Sequence, residues 1–338
     1  MGKILAIEST CDETAVAIVE DGKHILSNIT SLQIDVHAPF GGVVPELAAR
    51  RHVELLRPTL EKALAQANTT AKDLKAIAVA HGPGLLGPLL VGMNFAKALS
   101  LSWSLPLIGI NHIEAHLYSA MMSDAFNETE HLPALGLVLS GGHTSLVEVT
   151  RVGEYKLIGQ TRDDAIGEAF DKVAKLLGLP YPGGPQVEKK AVRGNASIYP
   201  FKAPKIKEAP MDFSFSGLKT SVLHAVKDLK KPLDKSIVED VCASFQRAAF
   251  DSIEEKIKSL TAVSSFKSLL FGGGVTMNEA LRARIDSLNL GVASFFPPKE
   301  LCLDNAAMIA GLAFHKLKGS SGILRLDASP STRMPFSS

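Results

Sequence analysis

The chain has 338 residues with 36 Lys and Arg against 35 Asp and Glu, a formal net charge of +1, so its overall electrostatics do not announce a nucleic-acid binder. At 46% hydrophobic and 21% charged it has the composition of a folded protein, and no run of 18 or more apolar residues is present to make a membrane span. Three widely spaced cysteines, Cys11, Cys242 and Cys302, exclude a disulfide framework and a C-x-x-C thiolate site, and suit a reducing cytoplasm.

At about 150 residues per domain, two domains are expected. The opening MGKILAIEST carries one lysine and runs straight into a strand pattern, so no signal peptide is expected, and Ala6 stands where myristoylation needs Ser or Thr. Residues 4–8 (ILAIE) and 15–19 (AVAIV) predict strands joined by the polar turn STCDET (9–14). EDGK then signals a hairpin into a third strand, and Pro45 opens a helix with Leu47, Ala48, His52, Leu55 and Leu56 at helical spacing. Residues 75–80 and 106–111 predict short buried strands around a helix at 87–103. Residues 133–160 repeat the opening: strand 134–139, turn SGGHT (140–144), strand 145–150, hairpin RVGE, strand 155–159. The copies align without gaps at an offset of 131, with Ile7 on Val138, Thr14 on Ser145, Gly22 on Gly153 and Leu26 on Leu157. Helices at 164–178 and 236–260, a strand at 268–271 ending in Gly272, Gly273 and Gly274, and a helix at 305–318 complete the pattern. This predicts an α/β chain of two similar lobes with a central cleft. The lobes are expected at 1–130 and 131–318, the second with a helical insertion and the last helix able to return to the first. Residues 319–338 are expected to be a loosely packed tail.

Three turns share one chemistry. STCDET and SGGHT are rich in small and hydroxylated residues and point N–H and O–H groups outward, as anion sites require. The glycine turn at 272–274 lets the backbone approach a ligand before a helix whose N-terminus offers free donors. Each is equally readable as a plain tight turn. No G-x-G-x-x-G or G-x-x-x-x-G-K-[ST] loop is present, so a duplicated, actin-like phosphate-binding fold is expected in place of a Rossmann or P-loop one. The basic clusters Arg50–Arg51, Lys189–Lys190 with Arg193, and Lys202, Lys205 and Lys207 read as solvated surface charge.

NHIEAH (111–116) places His112 and His116 one helical turn apart, on one face, as two cis metal ligands require; the same spacing also serves two unrelated polar roles. It falls short of H-E-x-x-H, because Glu114 is turned about 200° from His112 and cannot reach a metal-bound water as a general base. CLDNAAM (302–308) puts Asp304 after an apolar strand at the start of a helix, where it could be a third ligand or merely an N-cap. Two histidines and a carboxylate suit iron(II) or zinc.

Taken together, IESTCDETAVAIV, HAPFGGVVPELAARRH, GPGLLGPLLVG, NHIEAH, LSGGHT, DDAIGEAFDKVAKLLGLPYPGGP, FSFSGLKT, GGGVTMNEALR and CLDNAAM resemble the TsaD family, in order, from about residue 3 to residue 335. The resemblance implies a duplicated actin-like, ribonuclease-H-like (ASKHA) fold. It implies an acyltransferase that moves threonylcarbamoyl from threonylcarbamoyl-AMP to N6 of the adenosine 3′ to the anticodon, in tRNAs reading codons that begin with A. It implies one iron(II) or zinc per subunit on His112, His116 and Asp304. Implied substrate contacts are Val138, Leu139, Ser140, Gly141, Gly142, Asp171, Gly184 and Asn278, with Glu188 where many members have Asp. Asp12, Glu13, His143 and the three glycines 272–274 fall in nucleotide or catalytic support. ATP is a further candidate nucleotide, and TsaB and TsaE are implied protein partners. The readings set against it are a metal-dependent peptidase and a non-catalytic nucleotide-binding scaffold.

Overall fold

The computed structural model describes residues 2–229, 232–317, 326–331 and 334. It divides into two compact units: the described residues of Met1–Asn127, Arg151–Tyr155 and Pro297–Ser338, and those of Glu128–Thr150 and Lys156–Phe296.

In the first unit, β1 (Lys3–Glu8), β2 (Thr14–Glu20) and β3 (His24–Ser31) form an antiparallel meander. Short α1 (Ile34–His37) and long α2 (Pro45–Gln66) follow, then β4 (Leu74–Gly82), α3 (Leu86–Trp103), β5 (Leu107–Asn111) and α4 (His112–Met121). Helix α2 does begin at Pro45, a position whose missing N–H would have had no intrahelical partner. The sheet order is β3-β2-β1-β4-β5, with β4 parallel to β1 and β5 parallel to β4.

The second unit opens with α5 (Glu128–His131) and the meander β6 (Ala134–Leu139), β7 (Thr144–Arg151) and β8 (Glu154–Gln160), whose first two residues group with the first unit. It continues with α6 (Ile166–Leu176), α7 (Gly183–Ala191), α8 (Ser216–Val226), α9 (Lys235–Thr261), β9 (Ser268–Gly272), α10 (Glu279–Ser287) and β10 (Ala293–Phe295). Its sheet, β8-β7-β6-β9-β10, has the strand order of the first, with β9 parallel to β6. The two units are therefore copies of one α/β design.

The copies are not gapless. Six residues, 9 to 14, lie between the paired Glu8 and Ala15, but only four, 140 to 143, between Leu139 and Thr144. The ungapped offset holds along β1 and β6 and is lost at the first turn, because the ladder register counts residues that a similarity of patterns does not.

Strand alternation sorts the core of the first unit. Leu5 and Ile7 join Val16, Ile18, Leu56, Leu60, Met93 and Ala96 under α2 and α3. Ile4, Ala6 and Glu8 have the opposite parity and face the side where α11 (Ala306–Lys316) packs on β1 and β2. That helix belongs to the first unit. The second core gathers Leu135, Leu137 and Leu139 with apolar residues of α6, α8 and α9. The expected tail at 319–338 lies mostly outside the described residues; within it, Ser329 N–H donates to the His81 carbonyl at 2.7 Å and the Pro330 carbonyl accepts from Gly84 at 3.2 Å. No described helix is long and apolar enough to cross a membrane.

Candidate functional site

Strand β5 ends at Asn111, whose side chain caps α4 by accepting from the N–H groups of Ile113 (3.0 Å) and Glu114 (3.1 Å). The cap fixes where the helix starts, and so which way His112 and His116 face. Their rings meet edge to face with centroids 4.5 Å apart. Both Nε2 atoms converge on Asp304 Oδ1, at 3.5 Å from His112 and 3.0 Å from His116. One ligand atom from each of the three residues lies within 4.8 Å of the others.

Asp304 is not the N-cap that its position suggested. Asn305 caps α11 by accepting from Met308 N–H at 3.0 Å, and the segment before Asp304 is the 3-10 turn Lys299–Leu301 where a strand was expected. The aspartate side chain is thereby left for the histidines.

Behind His112 stands a residue that sequence reasoning passed over. Glu8, fully buried, accepts from His112 Nδ1 at 3.0 Å and from Thr10 N–H at 2.6 Å. The signal was available: a carboxylate closing an apolar strand, in register with Ile4 and Ala6, must find a partner. Burial alone would lower the His112 pKa, but Glu8 and Asp304 outweigh it and raise it to about 9. His116 is pushed down by burial and then by the adjacent His112 cation, against the pull of Asp304. Its Nδ1 is buried with no hydrogen-bond partner among the described residues. Without a metal, the His112 imidazolium brings positive charge between Glu8 and Asp304. The donor set fits a divalent metal: converging imidazole and carboxylate atoms, with an outer carboxylate on one imidazole.

The 9–14 turn closes over the same side. His52, buried on α2, bonds Thr14 Oγ1 at 2.7 Å and the Cys11 carbonyl at 3.0 Å, a second role not expected from its helical spacing alone. Leu85 N–H donates to the Thr10 carbonyl at 2.8 Å. These contacts hold Asp12 and Glu13 close to Asp304. Burial, then Asp304, Asp12 and Glu8, push Glu13 well above the usual carboxylate range.

In the second unit the structure brings two of the predicted turns together. Ser140 and His143 close the 140–143 turn, Ser140 N–H donating to the His143 carbonyl at 2.9 Å and His143 N–H to Ser140 Oγ at 3.1 Å. Gly167 of α6 donates to the Ser140 carbonyl at 3.2 Å and lies so close that a Cβ there would stand 2.8 Å from Gly141 Cα. Gly273, at φ +94°, backs onto the same turn; a Cβ on it would be 2.5 Å from the Leu139 carbonyl oxygen. Val138 and Leu139 are fully buried in β6, whereas Gly141 and Gly142 are exposed, with no atom within 4 Å of where an alanine methyl would stand. Gly141→Ala is therefore expected to leave stability within about 0.5 kcal/mol. Any fall in transfer would then report lost contact with substrate. A urea unfolding curve beside steady-state kinetics checks both, and a large stability loss contradicts the open geometry.

The remaining predicted contacts hold backbone in place. Asp171 accepts from Gly183 N–H (2.7 Å) and Gly184 N–H (3.2 Å), capping α7. Glu188 accepts from Glu279 N–H at 2.8 Å. Asn278 caps α10 through Leu281 N–H at 3.1 Å and donates to Gln246 at 2.9 Å. A 3-10 turn, Gly274–Met277, separates the glycines from α10, so the helix N-terminus does not directly follow Gly274 as expected. Two of its first N–H groups are already taken.

The chain is similar to known proteins over most of its length. The family profile described as "TsaD: tRNA N6-adenosine threonylcarbamoyltransferase" matches residues 24–311. The tRNA N6-adenosine threonylcarbamoyltransferase of Protochlamydia amoebophila is 53% identical, covering 99% of this chain and 98% of its own. Those of Anaeromyxobacter dehalogenans strain 2CP-1 (47%; 99% and 100% covered) and Chlamydia pneumoniae (48%; 94% and 93% covered) are similar over comparable spans. Among solved structures, full-length HypF aligns with a TM-score of 0.63 at 16% identity, over 94% of this chain and 56% of that one. Component A of the Acidaminococcus fermentans (R)-2-hydroxyglutaryl-CoA dehydratase aligns at 0.53 and 15%, over 94% and 98%. These two likenesses concern the fold, which is the duplicated actin-like α/β fold. The chain belongs to the TsaD family of tRNA N6-adenosine threonylcarbamoyltransferases.

Proposed function

We propose that this chain transfers the threonylcarbamoyl group of threonylcarbamoyl-AMP to N6 of the adenosine 3′ to the anticodon, in tRNAs reading codons that begin with A. His112, His116 and Asp304 would hold iron(II) or zinc. The observation that carries the reading is the convergence of these three side chains in a chain of this family. In the reaction a bond forms from N6 to the carbamoyl carbon, the bond to the phosphate oxygen breaks, AMP departs, and N6 loses a proton. The N6 lone pair is delocalised into the purine, so rate must come from positioning and from stabilising charge on the attacked carbonyl. AMP is a good leaving group, and no covalent enzyme intermediate is needed. When bound, a divalent metal supplies a Lewis-acidic centre for donor oxygens. Glu8 orients the His112 ring for that role; in the second unit, the exposed Gly141 and Gly142 carry backbone N–H groups of the kind that bind phosphate. ATP could occupy the same nucleotide site. On this reading the chain works in the cytoplasm, with TsaB and TsaE as partners.

The peptidase alternative is not favoured. Glu114, the residue nearest to a general base in sequence, has its carboxylate bound to Tyr155 and Lys316. Purified chain, with and without the two partners, should be given threonylcarbamoyl-AMP and an A-codon-reading tRNA, and the modified nucleoside measured by mass spectrometry. Absence of product with metal-loaded chain and partners would sink the proposal.

The His112 proton gives the metal a pH dependence. Its pKa in the metal-free fold, about 9, lies above the ordinary 6.5, so the bound proton stabilises that fold fully below pH 6.5, and this is lost as pH rises through about 9. Metal must displace that proton. Apparent affinity is expected to climb about tenfold per pH unit below pH 9. Competition titrations against a chromophoric chelator between pH 6 and 9 measure the slope, and a flat profile contradicts it.

A further inference from the structure

We propose that Glu114 is a positioning residue for the metal ligands: held by Lys316 and Tyr155, it sets the rotation of α4 about its own axis, and with it the placement of His112 and His116 against Asp304. The inference rests on the metal-binding reading above.

All ten residues of α4 are buried, so a polar group on the helix costs free energy wherever it lacks a partner. Glu114 is 0% exposed, and its two oxygens are used separately: Oε1 accepts from Tyr155 O–H at 3.0 Å, and Oε2 from Lys316 Nζ at 2.5 Å. Tyr155 is itself fixed by Gly153 N–H at 3.0 Å. A carboxylate here must give up its hydration, and a leucine would fill the space without that loss. An ion pair in such a place needs a reason beyond packing.

The geometry supplies one. Glu114 points about 200° away from His112 around the helix. The histidines reach Asp304, just before the N-cap of α11, whereas Glu114 reaches Lys316, the last residue of the same helix. Helix α11, about 15 Å long from Ala306 to Lys316 at 1.5 Å per residue, separates those two anchors. Between them Tyr118 bonds His315 at 2.9 Å and the Gly22 carbonyl at 3.2 Å. At Gly311 the helices come close enough that a Cβ would be 2.8 Å from the Tyr118 ring. Helix α4 is thus pinned at one point and tied on opposite faces to the two ends of α11. Turning α4 either way lengthens one tie and compresses the other, so loss of the Glu114 tie frees the histidines to rotate.

The test uses cobalt(II) on the full-length, metal-free chain, whose visible bands report ligand number and geometry. Glu114→Gln with Lys316→Met removes both charges together and keeps an acceptor for Tyr155; Tyr155→Phe removes one hydroxyl and leaves the ion pair. The double variant is expected to melt near wild type, to bind cobalt about 10- to 100-fold more weakly, as loss of an outer support does, and to shift the visible bands. Tyr155→Phe should move the same readouts less and in the same direction, and it decides the matter if the double variant does not fold. A purely structural role predicts lower melting temperatures with wild-type cobalt affinity and spectrum, and that result overturns the proposal. Wild-type chain that takes up no cobalt, or takes it up equally after His116→Ala, removes the metal reading and this inference with it.

Discussion

An Asp304→Ala chain is expected to retain under about one tenth of the wild-type metal and to lose transfer activity by more than about 100-fold, with a much smaller change in its urea midpoint. Replacing an outer partner of a metal ligand typically costs 10- to 100-fold, and an inner ligand should cost more. Asp304 is the one anion in the three-residue set, and both Nε2 atoms lean on its Oδ1. Glu8 cannot substitute, because it is engaged with His112 Nδ1 on the far side of the ring. Stability moves less than metal content because two effects oppose: Asp304, after burial, helps to push Glu13 well above its ordinary range, and it also holds the buried His112 and His116 imidazoles. The cap of α11 is Asn305 and is untouched. Asn305→Ala should do the reverse, costing about 1 kcal/mol of stability. Metal analysis, kinetics and urea denaturation on the two variants separate the roles. Full metal content in Asp304→Ala would show that the aspartate is not a ligand.

Gly273→Ala is expected to destabilise the chain by about 2–6 kcal/mol and to cut transfer at the same time. Two independent effects add. The residue sits at φ +94° and ψ 160°, a region essentially confined to glycine, where an L side chain costs about 1–3 kcal/mol. The new methyl would also stand 2.5 Å from the Leu139 carbonyl oxygen and 3.0 Å from Ser140 Cβ, an overpacking worth about 1–3 kcal/mol. The strain falls on the turn that Ser140 closes, so the shift is transmitted to Gly141 and Gly142. Measured against Gly141→Ala, at its open position, the difference isolates strain from substrate contact. A loss below about 0.5 kcal/mol for Gly273→Ala would mean that the two turns do not press on each other.

The fold was largely legible because its signals are local. Alternation in ILAIE and ALGLVL, proline at 45 and the small-residue turns each act within a few residues, and duplication repeated them. His112 and His116 were legible for the same reason, since one helical turn separates them. What escaped depends on contacts distant in sequence. Glu8 lies 104 residues from His112 and is a site residue only because β1 parity turns it toward α4. Asp304 could be read as a cap until Asn305 was seen to be the cap. The two-residue difference between the turns is a matter of ladder register, which no alignment of apolar patterns counts. Asp171, Glu188 and Asn278 show the converse: a polar residue at a promising place in a motif already has backbone partners, which the sequence does not display.

The unequal turns carry a further consequence. The longer one, in the first copy, contains Asp12 and Glu13 beside Glu8 and Asp304, and the shorter one, in the second, contains Ser140, Gly141, Gly142 and His143 with no acid at all. One hairpin design has thus become two electrostatic opposites, a cation-seeking copy and an anion-tolerant copy. A chimera with the 140–143 turn grafted in place of 9–14 would lose Asp12 and Glu13 and keep Glu8 and Asp304. Which sign of charge each unit welcomes is then written in a loop of a few residues rather than in the shape of the sheet that carries it.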